Sequence, residues 1–426
     1  MGEWKEIQLG KLGKTYTGLS GKTKDDFGFG KPYIPYLNVF QNNKIKPSQL
    51  DFVNIKYDEK QNQVKYGDLF FTTSSETIEE VGMTSVLLHD LGEVYLNSFC
   101  FGFRLNDFED LLPEYVPYLF RSDEIRHKIS LQGQGSTRFN LSKTELLKKL
   151  ILNLPSKPEQ TRIAEILSTA DEAIAHTEAL IAKYQRIKTG LMQDLLTKGI
   201  DENGNIRSKA THKFVVKNGI EVPEEWEVPM LKELLAKPLT YGIVQPGNHD
   251  PEGIYMIRSQ DYSREWNPLN TIMKVSKEID KPYERSRVYE SDLLITVVGA
   301  NVGRMAIVTK ELSGANISRS VARLSINTEQ NDSLFYYYYL KGSIDKIIFE
   351  NTVGGAQPVL NLKELDEIRV IQPNRTEQSI ISNKVDKIEA SIKNDITTLK
   401  KLQSLKTGLM QDLLSGKVRV NMDNKN

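Results

Sequence analysis

Cysteine is almost missing from this chain: its 426 residues contain one, Cys100. A lone thiol excludes a disulfide framework, and its place between Phe99 and Phe101 reads as a small buried apolar residue. Net charge is missing too, with 56 Lys plus Arg set against 56 Asp plus Glu. That balance gives no overall pull toward nucleic acid or membrane and leaves the matter to local faces. No apolar run approaches the roughly 18 residues of a membrane span. Met1-Gly2-Glu3-Trp4-Lys5 does not open a signal peptide, so the expected location is the cytoplasm.

Catalytic signatures are also lacking. Gly10-Lys11-Leu12-Gly13-Lys14-Thr15 resembles a phosphate-binding loop, but its first glycine would fall at Gln8. His89, His127, His176, His212 and His249 have no spacing suited to zinc. Gly133-Gln134-Gly135 lacks the third glycine of a dinucleotide fingerprint, and no Asn-Pro-Pro-Tyr or Asp-Pro-Pro-Tyr tetrapeptide of amino-methyltransferases occurs. No Ser-His-Asp arrangement stands out. A binding scaffold is favoured over an enzyme whose site goes unrecognised.

What the chain does have is a repeat. Lys188-Thr189-Gly190-Leu191-Met192-Gln193-Asp194-Leu195-Leu196 returns as Lys406 to Leu414, an offset of 218 residues. Glu225-Trp226-Glu227 resembles Glu3-Trp4-Lys5, and Ser291-Asp292-Leu293-Leu294-Ile295-Thr296 resembles Gly67-Asp68-Leu69-Phe70-Phe71-Thr72. Two duplicated units follow from a period of this length. With 39% apolar and 26% charged residues the composition is that of ordinary globular domains.

The chain divides into a mixed α/β domain over 1–155, a long helix over 156–199, a connector over 200–222, a second domain over 223–373, a second long helix over 374–416, and a polar tail over 417–426. Strand character marks Tyr33 to Leu37 and Leu69 to Thr72, and helical patterns run over Glu114 to Ile129 and Lys143 to Leu150. From Pro158 the texture changes to an apolar stripe at Ile163, Leu167, Ala170, Ile174, Ile181, Tyr184, Leu191 and Leu195, with Thr177 and Lys188 as polar exceptions. A matching stripe occupies Ile381, Val385, Ile388, Ile392, Leu399, Leu402, Leu409 and Leu413. At about 1.5 Å per residue each helix would be roughly 55 Å long. Each bare stripe would expose several side chains costing about 1.5–3 kcal/mol apiece, so the two are expected to pair, antiparallel, within one chain. A coiled coil between two chains is the alternative. Intrachain pairing gives a pseudo-two-fold rod with a domain at each end.

Two similar domains, each entering a long helix through Glu-Gln and ending it in the repeated nonapeptide, resemble the specificity subunit of Type I restriction-modification enzymes. Leu154-Pro155, Pro158-Glu159-Gln160-Thr161-Arg162-Ile163-Ala164 and Pro223-Glu224-Glu225-Trp226-Glu227 carry the resemblance beside the nonapeptides. The second entry departs at Thr376 and Ser379-Ile380 but keeps Glu377-Gln378. The resemblance implies α/β target recognition domains that each read half of a split double-stranded DNA site, and helices that act as a ruler. About 16 base pairs would be the upper limit for such a ruler. Two methyltransferase subunits would flank it, with or without two restriction/translocase subunits. S-adenosylmethionine, ATP and Mg would belong to those partners, and no cofactor would bind this chain directly. The chain itself would be non-catalytic, and its two halves of the target would differ.

Base edges are read by Arg, Lys, Asn, Gln, Ser or Thr on loops. In the first domain these are Ser20, Lys22 and Lys24, then Thr73, Ser74 and Ser75, then Gln134, Ser136, Thr137 and Arg138. In the second they are Tyr241, Gln245, Asn248 and His249, with Arg258, Asn301, Arg304, Arg319 and Gln357. Identity at Gln193 and Asp194, off the stripe, is not demanded by packing. Lys188, Gln193 and Asp194, with Lys406, Gln411 and Asp412, are therefore the expected partner surfaces. Recent duplication or recombination between the copies is the alternative reason for their identity.

Overall fold

A computed structural model describes residues 4–263, 265–351 and 359–420, the side chains of 344–351 excepted. The chain forms two compact units, one of Met1–Ala179 with Ile396–Asn426 and one of Leu180–Asp395.

The first unit is built on a four-stranded antiparallel sheet in the order Gly13–Thr17, Cys100–Leu105, Leu69–Thr72, Thr84–Val86. Its central strand has no polar face because it separates two cores. Leu69 and Phe71 join Phe101, Phe103 and Phe120 on one side, while Phe70 joins Ile34, Leu87 and Cys100 on the other. Successive side chains on a strand point to opposite faces, so a run apolar at every position is buried on both. Cys100 is buried, as expected, and burial pushes its thiol above the usual range. A second sheet orders Asp51–Val53, Phe27–Ile34 and Tyr95–Leu96, and a third orders Gly133–Gln134, Phe139–Leu141 and Ser74–Ser75.

The second unit repeats this plan. Its main sheet runs Leu235–Tyr241, Val321–Ile326, Leu293–Thr296, Met305–Ile307, and a smaller one runs Lys274–Val275, Ile254–Ile257, Asn316–Ile317. Leu293 and Ile295 face one core and Leu294 the other, as their counterparts do. In both units the middle strand of the smaller sheet has one antiparallel and one parallel neighbour.

The long helices are Lys157–Leu195 and Arg375–Leu414, of 39 and 40 residues. In the first unit Ile163, Ala164 and Leu167 share a core with Leu413, Leu414 and Val420. Glu159 meets Arg419 and Asp171 meets Lys406, so the pairing there is antiparallel. In the second unit Ile381 and Val385 share a core with Leu195 and Ile200, and Lys188 meets Glu389 while Arg207 meets Glu377. That pairing is antiparallel as well.

Three local expectations change. Glu114 to Ile129 is two helices, Val116–Leu119 and Asp123–Ser130, because the Ser122 hydroxyl accepts from the Ile125 amide and starts a new helix. The strand expected over Tyr33 to Leu37 ends at Ile34, and Tyr36–Gln41 is a helix entered through Pro35. The connector holds a hairpin, Phe214–Lys217 with Ile220–Pro223, turned by Asn218 and Gly219 at φ 50° and 82°. Asn-Gly between β-branched residues is the signal for that turn.

Candidate nucleic-acid interface

In the first unit the topology gathers seven of the ten expected readers at one sheet edge. Ser74 and Ser75 pair with Asn140 and Phe139, which continue the hairpin tip holding Gln134, Ser136, Thr137 and Arg138. Gly135 sits in this tip at φ 131°, where a side chain is strained and a Cβ would strike the Arg138 carbonyl. The tip is exposed, whereas Ser74 and Ser75 are buried beneath it. Arg138 Nε donates to Ser74 Oγ at 3.2 Å. Thr73 is turned inward, its hydroxyl donating to the Phe99 carbonyl at 2.8 Å.

Beside this edge lies a cleft of about 730 Å³ lined by Tyr36, Phe40, Ser75, Glu76, Glu80, Phe99 and Arg138. Tyr36 and Phe40 stack with ring centres 5.6 Å apart. Burial raises the Tyr36 hydroxyl above its ordinary pKa, so it stays a donor, directed at the Ser74 carbonyl. Of the cleft's residues, the aromatics and both carboxylates escaped the sequence reading. The spacing of Tyr36 and Phe40, one helical turn apart, could have placed those two on one face.

Ser20, Lys22 and Lys24 are not in this cluster. The Ser20 backbone exchanges two hydrogen bonds with the Gln61 amide. Lys22 is corrected from a reader to a loop anchor: its side chain is 4% exposed and holds Glu59 and the Asn54 carbonyl. Lys24 remains exposed.

The second unit distributes its candidates. The Arg319 amide donates to the Ile243 carbonyl, and Ile243 bridges Ser318, which brings exposed Tyr241 and Gln245 beside Arg319. Asn248 is exposed, and His249 Nδ1 accepts from the Lys274 amide at 3.2 Å. Arg258 is held by Asp261, a fully buried carboxylate, through Nε at 3.3 Å and Nη2 at 3.1 Å. Asn301 and Arg304 belong to the turn between Leu293–Thr296 and Met305–Ile307, where Arg304 donates to the Ser263 carbonyl. Gln357 lies outside the described residues. Val298 bridges Val359 where the first unit pairs Ser74 and Ser75 with its hairpin.

The nonapeptide copies have a shared setting. In the second unit Thr189, Met192, Gln193, Leu196 and Thr197 line a groove of about 550 Å³ whose other wall includes Ile220, Tyr339 and Gly342. In the first, their counterparts Thr407, Met410, Gln411, Leu414 and Ser415 line one of about 540 Å³ against Arg121, Ser122, Asp123 and Glu124. Off-stripe Gln193 and Gln411 are exposed in equivalent grooves. Asp194 bonds Lys198 at 2.8 Å, and Asp412 is exposed. Lys188 and Lys406 differ from the expectation: each closes an ion pair inside its own unit, with Glu389 and with Asp171.

Each nonapeptide ends beside the Glu-Gln pair that opens the other long helix. Gln378 takes the Asp332 amide at 2.8 Å and gives to the Pro373 carbonyl at 2.7 Å. Gln160 does the same with the Leu112 amide, at 2.9 Å, and the Pro155 carbonyl, at 3.0 Å. Glu377 accepts from Arg207, from Trp226 Nε1 at 3.1 Å and from the Ile200 amide at 2.9 Å. Glu159 accepts from Arg419 at 2.6 and 2.7 Å.

Sequence comparison matches residues 1–186 and 223–407 to the Type I restriction modification DNA specificity domain. The type I restriction enzyme EcoBI specificity subunit of Escherichia coli is 32% identical over 253 residues, 57% of this chain and 52% of that protein. The match therefore spans about half of that relative's length. The provisionally named MjaX specificity subunit of Methanocaldococcus jannaschii is 29% identical over 425 residues, 95% of this chain and 90% of the relative. Among solved structures, the S subunit of a Type I restriction-modification system from M. genitalium superposes with a TM-score of 0.58 at 15% identity, covering 98% of this chain and 96% of that one. A chain from a study of type I system assembly and conformational transition gives 0.54 at 18% identity, covering 98% of each. These likenesses establish the fold: two α/β domains with a long helical spacer.

Proposed function

We propose a bipartite reading of DNA for this chain, which belongs to the Type I restriction modification DNA specificity family. It is a non-catalytic specificity subunit, acting in DNA recognition with other restriction-modification subunits. Each unit reads one half of a double-stranded site, and the halves differ. The observation that carries this is the conserved framework with altered polar edges: the strand Leu69–Thr72 leads into Ser74-Ser75, and its counterpart Leu293–Thr296 leads into Val298-Gly299. Different donors and acceptors on one scaffold suit different base edges.

The partners are two methyltransferase subunits, one on each nonapeptide groove, with restriction/translocase subunits as optional additions. S-adenosylmethionine, ATP and Mg are bound by those partners, and the assembly works in the cytoplasm. No helix among the described residues is long and apolar enough to cross a membrane. A stand-alone dimer held by interchain helices has less support, because in each unit one end of each apolar stripe shares a core with the other helix of the same chain.

Methylation mapping of genomic DNA by this chain with its methyltransferase tests the reading. A split, non-palindromic motif is expected, from a complex with two methyltransferases per chain. A continuous or palindromic motif, or methylation without the partner, overturns it.

A further inference from the structure

The cleft of the first unit contains a donor and an acceptor fixed by adjacent residues. Ser74 Oγ receives Arg138 Nε at 3.2 Å; Ser75 Oγ and Thr77 Oγ1 donate to Glu80 Oε2 at 3.4 and 3.0 Å. Arg138 and Glu80 thus line one cleft, each held by its own serine. Among the described residues the Arg138 Nη groups have no partner.

Two half-buried arginines stiffen the walls. Arg126 donates to the carbonyls of Glu79, Val81 and Gly82, which clamps the loop carrying Glu80. Arg121 donates to the carbonyls of Val39, Phe40 and Asn42 at the end of the helix carrying Tyr36 and Phe40. Burial lowers both guanidiniums to about 10, so they remain charged at neutral pH. Phe99, 58% exposed, forms an apolar part of the cleft.

A groove with Glu76 and Glu80 exposed on it repels phosphate, so its DNA ligand must be one that donates protons. In duplex DNA those donors are the exocyclic amines of bases. We propose, resting on the bipartite reading above, that Glu80 and Arg138 together read one cytosine·guanine pair in the major groove. Glu80 accepts from cytosine N4, and the two free nitrogens of Arg138 donate to guanine O6 and N7. An adenine·thymine edge separates its acceptors and uses only half of the guanidinium fork. Arg126 and Arg121 are positioning residues for this pair.

The test is methylation mapping with the full chain and its methyltransferase, in the wild type and in Glu80→Ala, Glu80→Gln and Arg138→Ala. The wild type is expected to fix a C·G pair at one position of one half-site. Arg138→Ala and Glu80→Ala should each lower discrimination there by roughly 10- to 100-fold. The other half-site, read by the second unit, should stay unchanged and report an intact complex. Glu80→Gln keeps the shape of the cleft and should shift the preference toward adenine. If a variant methylates nothing, binding of its complex to duplexes carrying each base pair at that position decides in the same way. Unchanged discrimination, a fixed A·T pair at the responding position, or an equal loss at every position of the half-site overturns the inference. A wild-type motif that is continuous or palindromic defeats the bipartite reading instead.

Discussion

The ends of the two long helices are locked by the same residue types in two different environments. In the second unit Glu377 and Arg207 are 5% and 8% exposed, and Trp226 is fully buried with its indole N–H on the carboxylate. In the first unit Glu159 is equally buried, but Arg419 is 27% exposed and lies 5.7 Å from the centre of the Trp4 ring. Trp4 Nε1 has no hydrogen-bond partner among the described residues. The connector explains the contrast. It continues past the first nonapeptide, so Arg207 arrives eleven residues after Leu196, whereas Arg419 arrives five after Leu414. The longer path encloses its lock, and the shorter one leaves its lock half open. One motif can therefore fix a helix end at two different strengths.

Glu377→Ala should separate the two units most. It leaves Arg207 buried without its counter-charge, a loss of about 3–5 kcal/mol when one partner of a buried pair is removed. Chemical denaturation followed by amide hydrogen exchange should show the second unit opening first. Glu159→Ala should cost less, about 1.5–3 kcal/mol, since Arg419 can turn to water. Equal losses would mean that the difference in burial does not set the strength of the locks.

The glycines behind the locks sharpen the same contrast. Gly199 and Gly416 both follow the ends of their helices at positive φ, 66° and 72°. A Cβ at Gly199 would come within 2.2 Å of Glu377 Oε1 and 2.3 Å of the Trp226 ring, whereas at Gly416 the nearest atom, on Trp4, is 3.3 Å away. Gly416→Ala should cost about 1–2 kcal/mol, the backbone term alone. Gly199→Ala should cost that plus the displacement of the lock, and its thermal midpoint should fall further. The reverse order would show that the closed lock yields easily.

Some of this was readable from the chain and some was not, for physical reasons. The strand Leu69 to Thr72 was legible because burial on both faces removes alternation, and the long helices because their stripes recur at heptad spacing. The nonapeptides pointed to duplication, yet the contacts that Arg419 and Arg207, beyond their ends, make with Glu159 and Glu377 were invisible, since they join residues 260 and 170 positions apart in sequence. Lys22 looked like a free base on a polar loop, and only its contact with Glu59, 37 positions on, shows otherwise. The cleft drew on four separate segments, of which the sequence marked two. Glu80 lies outside the Arg, Lys, Asn, Gln, Ser and Thr set expected on reading loops, and only the fold brings it into one cleft with Arg138.

Arg138→Ala and Arg304→Ala carry the comparison to DNA. If both side chains read bases, each should weaken binding to the specific duplex by about 1–3 kcal/mol while barely changing binding to unrelated DNA. Equal loss on both DNAs would make either a phosphate contact. Arg304 already gives one donor to Ser263, so the smaller change is expected there.

The smallest effects should come from the lysines that begin the nonapeptides. Lys188 and Lys406 are each 25% exposed, so solvent screens their ion pairs and each is worth under about 1 kcal/mol. Their acceptors differ. Asp171 also receives the Tyr118 hydroxyl at 2.9 Å and lies 3.8 Å from Lys44, while Glu389 has Lys341 at 3.9 Å. Burial and the neighbouring carboxylate both push the Tyr118 hydroxyl up, so it remains a donor across the physiological range. Lys406→Ala therefore leaves Asp171 with the Tyr118 hydroxyl, and Lys188→Ala leaves a part-exposed Glu389 to water beside Lys341, so denaturation midpoints should move little in either unit. Asp171→Ala should move the first unit's midpoint further than Glu389→Ala moves the second's, because three donors lose their partner instead of two. An equal shift would make these charges decoration on a register that apolar packing sets alone.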